Sequence, residues 1–203
     1  SPEDLEPLRP ELQPSFAQVS QLLKGRRSVR HFRPEPVSRA ILTRVLDTVR
    51  YAPTGVNAEG VHWLMIDDRA ELRRISDLTA QGMRAMNFMP EYVKAYERGR
   101  DVILRGAPNL AIVHARTDCP TPEADCLIAM TYLEIAAAAE GLGACWAGLV
   151  GGMARRYPPL ASHLGLPEGH CAYAALMLGH PTHRFVRIPK RKALRVVWRG
   201  PEA

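Results

Sequence analysis

Four cations and a hydroxyl stand at alternate positions of two short basic stretches far apart in the chain. Arg26, Ser28 and Arg30 occupy alternate positions of Lys24-Gly25-Arg26-Arg27-Ser28-Val29-Arg30, so in an extended backbone their side chains point the same way. Two guanidinium groups and a hydroxyl so arranged can surround a phosphate dianion with charge-assisted, partly bidentate hydrogen bonds. Lys190 and Lys192, in Arg187-Ile188-Pro189-Lys190-Arg191-Lys192, are also one residue apart and present both charges on one side of an extended segment. A solvated basic turn is the competing reading of either stretch alone. The net charge of +6 admits nucleic acid, an anionic membrane or an anionic ligand. Because the positive charge gathers in two local stretches of an otherwise mixed-charge chain, a local phosphate site is favoured over a nucleic-acid track.

Other chemistries lack their residues. Cys119, Cys126, Cys145 and Cys171 form no CxxC pair and no dense framework, which reads as reduced thiols rather than disulfides or zinc ligands. There is no HExxH and no Ser/His/Asp arrangement, and the seven histidines show no spacing that builds a site. His62, His114 and His180 lie in or beside apolar segments and read as structural. No GxGxxG follows a strand pattern and no GxxxxGK[ST] is present, so dinucleotide-fold and P-loop readings fall away. No catalytic side chain and no metal site is expected.

The elements that must position the basic stretches follow from periodicity. The 203 residues, 46% hydrophobic, suffice for one compact domain. Residues 1–15, with Pro2, Pro7, Pro10 and Pro14, read as an extended arm, and a domain over 16–203 begins with an apolar helical pattern at Phe16 to Leu23. Ser38 caps a helix carrying Ile41, Leu42, Val45, Leu46 and Val49 to a stop at Tyr51-Ala52-Pro53. Val61 to Ile66 reads as a strand, Arg69 to Leu78 and Glu91 to Gly99 as helices, and Leu110 to His114 as a central strand, because its residues are almost uniformly apolar. Glu123 to Glu140 reads as a helix buried nearly all round, ending at Gly141-Leu142-Gly143. Then come a strand at Ala144 to Val150 closed by Gly151-Gly152, a short helix at Pro158 to Leu164, a strand at Cys171 to Leu178 and a strand-like tail at Ala193 to Trp198. The mixture lacks a regular βαβ repeat. No apolar run is long enough to span a bilayer and residues 1–30 lack a signal-peptide core, so the expectation is a soluble, cytoplasmic protein with no membrane partner. The chain opens with Ser1 rather than Met, which leaves an N-terminal partner domain open.

Several elements, in order from about Phe16 to Trp198, resemble the FMN-dependent nitroreductase family. Arg26-Arg27-Ser28-Val29-Arg30 is similar to its RRSxR signature. By that resemblance Arg26, Ser28 and Arg30 hold the FMN phosphate and Arg27 contacts the flavin ring or ribityl through its backbone. Ala52-Pro53-Thr54-Gly55-Val56-Asn57 resembles its APSxxN or APTGxN loop. There Pro53, Thr54, Gly55 and Asn57 would meet the polar edge of the flavin, which needs both donors and acceptors. The chain departs from the common N-x-Q-P-W continuation: Glu59 stands where Gln is usual and cannot donate when ionised. Gly141 to Gly148 resembles the GLGSxWxG strand, whose last two positions, here Ala147 and Gly148, lie beside flavin N5 and O4 with their main-chain N–H groups. Ile188 to Lys192 resembles the C-terminal P-K-x-R segment, and Lys190 and Lys192 would close the phosphate site.

The resemblance implies an α+β fold, a mostly antiparallel central sheet wrapped by helices in an intertwined homodimer with FMN at the interface. It also implies ping-pong transfer from NADH or NADPH to a small-molecule acceptor such as a nitroaromatic, quinone or enone, the flavin carrying the chemistry. Leu194 to Trp198 would suit an arm reaching a partner subunit. Met83, Met86, Phe88, Met89, Tyr92 and Tyr96 mark either a lid that sets acceptor choice or, equally, a core helix. A dehalogenase or flavin-destructase of the same fold, a non-catalytic flavin or nucleic-acid binder, and a ferredoxin-like electron donor in place of NAD(P)H stay open at this stage.

Overall fold

The computed structural model describes residues 5–200. They divide into two compact units, residues 26–184 and a smaller unit made from the two ends of the chain, up to Gly25 and from Phe185.

The larger unit is a helix/sheet/helix sandwich. Strands β1 (His62–Ile66), β2 (Asn109–Arg116), β3 (Gly143–Trp146) and β4 (His170–Gly179) form one sheet in the order β1-β2-β4-β3, and every neighbouring pair is antiparallel. β2 is central, and its seven residues from Asn109 to Ala115 are all buried. Strand alternation sorts them into two cores: Leu110 and Ile112 face one layer, Ala111, Val113 and Ala115 the other. On the first face lie α3 (Arg69–Ala85), α4 (Pro90–Glu97), α6 (Gly148–Ala154) and α7 (Pro158–His163). On the second lie α2 (Arg39–Val49) and α5 (Pro122–Ala139). This is the α+β architecture expected from the sequence.

Local signals explain the boundaries. Ser38 Oγ accepts from the Ile41 N–H (3.4 Å) to start α2, and Asp68 Oδ1 does the same for Glu71 (2.8 Å) in α3. α5 ends in a Schellman motif on Gly141, whose φ is 80°: Leu142 N–H reaches the Ala137 carbonyl (2.8 Å) and Gly141 N–H the Ala138 carbonyl (3.1 Å).

Three expectations change. β3 stops at Trp146, and the residues to Val150 enter helix α6 instead of continuing the strand. Gly151 is a packing glycine inside that helix: a Cβ there would lie 3.3 Å from the Ala175 backbone nitrogen, so it lets α6 approach β4 closely. α5 is not buried all round, since Leu127, Ile128 and Tyr132 lie 37–42% exposed along one side. Residues 193–198 form no strand, because an extended segment becomes one only where a ladder partner exists.

In the smaller unit α1 (Phe16–Gly25) opens with a reciprocal cap. Ser15 N–H donates to Gln18 Oε1 (2.7 Å) and Gln18 N–H to Ser15 Oγ (3.3 Å). No residue of α1 is buried, and Phe16, Val186, Leu194, Val197 and Trp198 are each at least 85% exposed. No helix among the described residues is long and apolar enough to cross a membrane.

Candidate active site

The Arg26-to-Arg30 stretch runs extended beside β3. Ser28 forms a parallel bridge with Ala144, and Val29 N–H donates to the Ala144 carbonyl (2.8 Å). Val29 packs inward against Gly143, where any Cβ would meet the Val29 side chain at 2.7 Å, so the glycine permits the approach. With Val29 inward, Ser28 and Arg30 take the opposite side.

Arg26 turns to a partner that sequence spacing could not reveal. Its Nη1 donates to Oε1 of Glu134 (2.7 Å), and the second carboxylate oxygen accepts from Trp146 Nε1 (3.1 Å). Glu134 lies on the buried side of α5, and both its oxygens are matched, as a buried carboxylate requires. Helix, basic stretch and sheet edge are therefore tied at one point.

Arg30 lines a cavity of about 360 Å³ with Cys145, Trp146, Ala147 and Gly148 at the end of β3. Phe88 and Met89 from the turn between α3 and α4, and Tyr92 from α4, also line it. The proposed lid thus divides: those three line the cavity, while Met83 and Tyr96 belong to the core. Asn87 and Met89 both have a φ of 49°, left-handed backbone in that turn. Ala147, expected to offer its N–H to the flavin, donates it to the Ala175 carbonyl (2.8 Å) and so extends the β3–β4 ladder. Gly148 opens α6, where an N–H has no carbonyl one turn earlier within the helix.

The Pro53-to-Asn57 loop is a tight, pinned structure. Gly55 N–H donates to Asp125 Oδ1 (2.9 Å), which also accepts from Thr121 Oγ1 (2.9 Å). Val56, Asn57 and Glu59 hold φ of 49°, 54° and 48°. Glu59 N–H donates to Thr54 Oγ1 (3.1 Å), and its carboxylate accepts from Asn57 Nδ2 (2.9 Å). Glu59 therefore serves as an internal acceptor for Asn57. Pro53, Thr54 and Asn57 line a second cavity of about 370 Å³ with Tyr51, Val61 and Trp63. The two motifs of one chain thus open into different cavities. Lys190 and Lys192 lie exposed in the other unit.

Sequence spacing also missed a histidine cluster. Register pairs His62 with His114 across β1 and β2, and His170 at the start of β4 joins them with ring centroids 4.9–5.5 Å apart. His114 Nδ1 and His170 Nδ1 lie 2.9 Å apart, so one donates and the other accepts. Burial, reinforced by His170 and His62, pushes the His114 pKa down to about 4. Burial likewise lowers His170, helped by His62 and Arg116 and opposed by Asp118. Among the described residues no group of three such ligand side chains is arranged to hold a metal.

A sandwich with an antiparallel β1-β2-β4-β3 sheet, a basic stretch bridged to β3 and an aromatic-walled cavity at the strand's end defines a nitroreductase-type fold. The Nitroreductase family model matches residues 23–180, and the chain belongs to that family. It is 32% identical over 158 residues to 5,6-dimethylbenzimidazole synthase of Rhodospirillum rubrum, covering 70% of this chain and 74% of that protein. It is 25% identical over 178 residues to FMN reductase [NAD(P)H] of Bacillus subtilis (strain 168), covering 85% and 70% respectively. Among solved structures, a nitroreductase with bound FMN from Bacteroides fragilis superposes with a TM-score of 0.71 at 24% identity, covering 88% of this chain and 95% of that one.

Proposed function

We propose that this chain binds FMN and, as a homodimer, transfers reducing equivalents from NADH or NADPH to an electron-poor small molecule such as a nitroaromatic, quinone or enone. The observation that carries the proposal is the cavity uniting Arg30, Trp146 and Gly148 with Phe88, Met89 and Tyr92. It combines aromatic and thioether walls with arginine charge that no carboxylate of the wall offsets, which suits a flat aromatic ring bearing a phosphate.

FMN, when bound, supplies hydride acceptance and donation, and the chain supplies position and electrostatics. Ser28 and Arg30, with Arg26, would hold the phosphate. The Glu134 carboxylate fixes the direction of the Arg26 guanidinium. Gly148 N–H, on the cavity wall, would be a main-chain donor favouring negative charge on the ring's polar edge. Phe88, Met89 and Tyr92 would cover the open side of the ring and limit water there. Pro53, Thr54, Gly55 and Asn57 would complete a site in a second copy, which accounts for their opening into a separate cavity. The exposed apolar side chains of α1, of residues 194–198 and of α5 supply surface for that association.

The test is an anaerobic visible spectrum of the FMN-loaded protein before and after NADH or NADPH. Bleaching of the flavin bands followed by stoichiometric reoxidation with a quinone is expected. Failure to bind FMN would remove the proposal. The 32% identity to a 5,6-dimethylbenzimidazole synthase favours a second reading, in which reduced flavin is itself consumed. Under that reading, admitting air to the reduced protein would lose flavin instead of restoring it.

A further inference from the structure

Resting on the reading of the 360 Å³ cavity as the active site, we propose that Arg105 and Arg156 make it selective for substrates carrying a negative group, a carboxylate or phosphate, on an aromatic body. Three arginines, Arg30, Arg105 and Arg156, line this cavity and no Asp or Glu does. Several arginines elsewhere are matched to acids: Arg26 with Glu134, Arg39 with Asp67, Arg116 with Asp118 and Arg155 with Glu123. Among the described residues neither Arg105 nor Arg156 has an acidic partner. Arg30 belongs to the basic stretch assigned to the cofactor phosphate. The other two are surplus to that role.

Arg105 is held in place by a built turn. Asp101 Oδ1 accepts from the N–H groups of Ile103 (3.1 Å) and Leu104 (2.9 Å), and its Oδ2 accepts from Gly106 (2.8 Å). That carboxylate winds residues 101–106 tightly and leaves Arg105 with a φ of 56°, left-handed backbone that a non-glycine residue adopts at a cost. Val102 and Leu104 anchor the turn in the core, and Arg105 is half-buried at the cavity. Arg156 enters from the end of α6, next to Arg155, whose charge is taken by Glu123. The half-buried Arg105 guanidinium and the exposed Arg156 guanidinium, which share the cavity wall with Phe88, Tyr92 and Trp146 and have no counter-charge there, attract an anion attached to a ring.

The experiment uses the FMN-loaded protein and its Arg105→Gln, Arg156→Gln and Arg105→Lys variants. Calorimetric titration compares benzoate with benzamide, which differ in charge and little in shape, and reads binding whether or not flavin is present. Benzoate should bind about tenfold or more tightly, as expected for a charge-assisted contact, and the preference should shrink in each Gln variant and with added salt. Arg105→Lys should retain part of it. Pre-reduced protein oxidised by 4-nitrobenzoate or 4-nitrobenzamide, and oxidised protein reduced by NADPH or NADH, then separate the two sources of the anion. A loss confined to the first assigns the pair to a carboxylated acceptor, and one confined to the second to the phosphates of the nicotinamide donor. Equal binding of benzoate and benzamide with unchanged rates in both halves overturns the inference. So does collapse of FMN affinity in the Gln variants, which would give these arginines to the cofactor. A protein that binds benzoate selectively but no FMN would instead refute the proposed function and leave the anion site standing.

Discussion

Arg26 and Glu134, 108 positions apart in sequence, form an ion pair of 2.7 Å that joins the basic stretch to the buried side of α5. The same carboxylate holds the Trp146 indole at the cavity wall. Its partner arginine retains 27% side-chain exposure, so water screens the pair only in part. Glu134→Ala leaves a partly buried guanidinium and an indole N–H unmatched, and should cost about 2–3 kcal/mol in urea unfolding. Glu134→Gln keeps an acceptor for Trp146 and should cost less. If Ala and Gln are equally mild, the pair is not holding the stretch.

Arg30 carries no such compensation, so its charge is free for a ligand. Arg30→Gln should weaken FMN binding about tenfold or more, as for loss of one charge-assisted contact, while the melting temperature of the flavin-free protein stays nearly constant. Equilibrium dialysis against FMN checks the first part and a thermal melt the second. An unchanged affinity would place the phosphate elsewhere.

The loop at Gly55 should be intolerant of even one methyl group. A Cβ there would sit 2.0 Å from Thr121 Oγ1, the hydroxyl that donates to Asp125. Gly55→Ala must displace Thr121, and Asp125→Ala removes the acceptor for both Thr121 and the Gly55 N–H. Each should lower stability by about 1–3 kcal/mol and FMN affinity with it. Thr121→Ala, which makes room, should restore much of the loss in the Gly55→Ala background, and a double-mutant cycle reads that coupling.

The histidine cluster predicts a pH dependence. His114 is held neutral in the folded protein to about pH 4 but titrates near 6.5 once unfolded. Between these values the unfolded chain binds more protons, so stability falls as pH drops from 6.5 toward 4 and this contribution levels off below. His170, whose Nδ1 faces His114, adds in the same direction. Melting temperature measured across that range should flatten in His114→Gln relative to wild type. A slope unaffected by the substitution would assign it to the carboxylates.

The sequence by itself determined the elements with strong local causes. α2 has its Ser38 cap and apolar stripe, β2 its uniform apolar run, and α5 its Gly141 terminus. The placing of Ser28 and Arg30 about an inward Val29 was also legible, because a two-residue period needs only extended backbone. What depended on distant packing was not. Gly151-Gly152 resembles a strand terminus until the close approach of α6 to β4 shows that the backbone contact needs a glycine. Glu134 resembles any helical glutamate until Arg26 and Trp146 converge on it. Histidines 62, 114 and 170 follow no local spacing, and only strand register brings their rings within about 5 Å. The separation of Arg30 and Asn57 into two cavities was decided by tertiary structure too, since sequence order places motifs along a line and folding alone sets which of them share a wall.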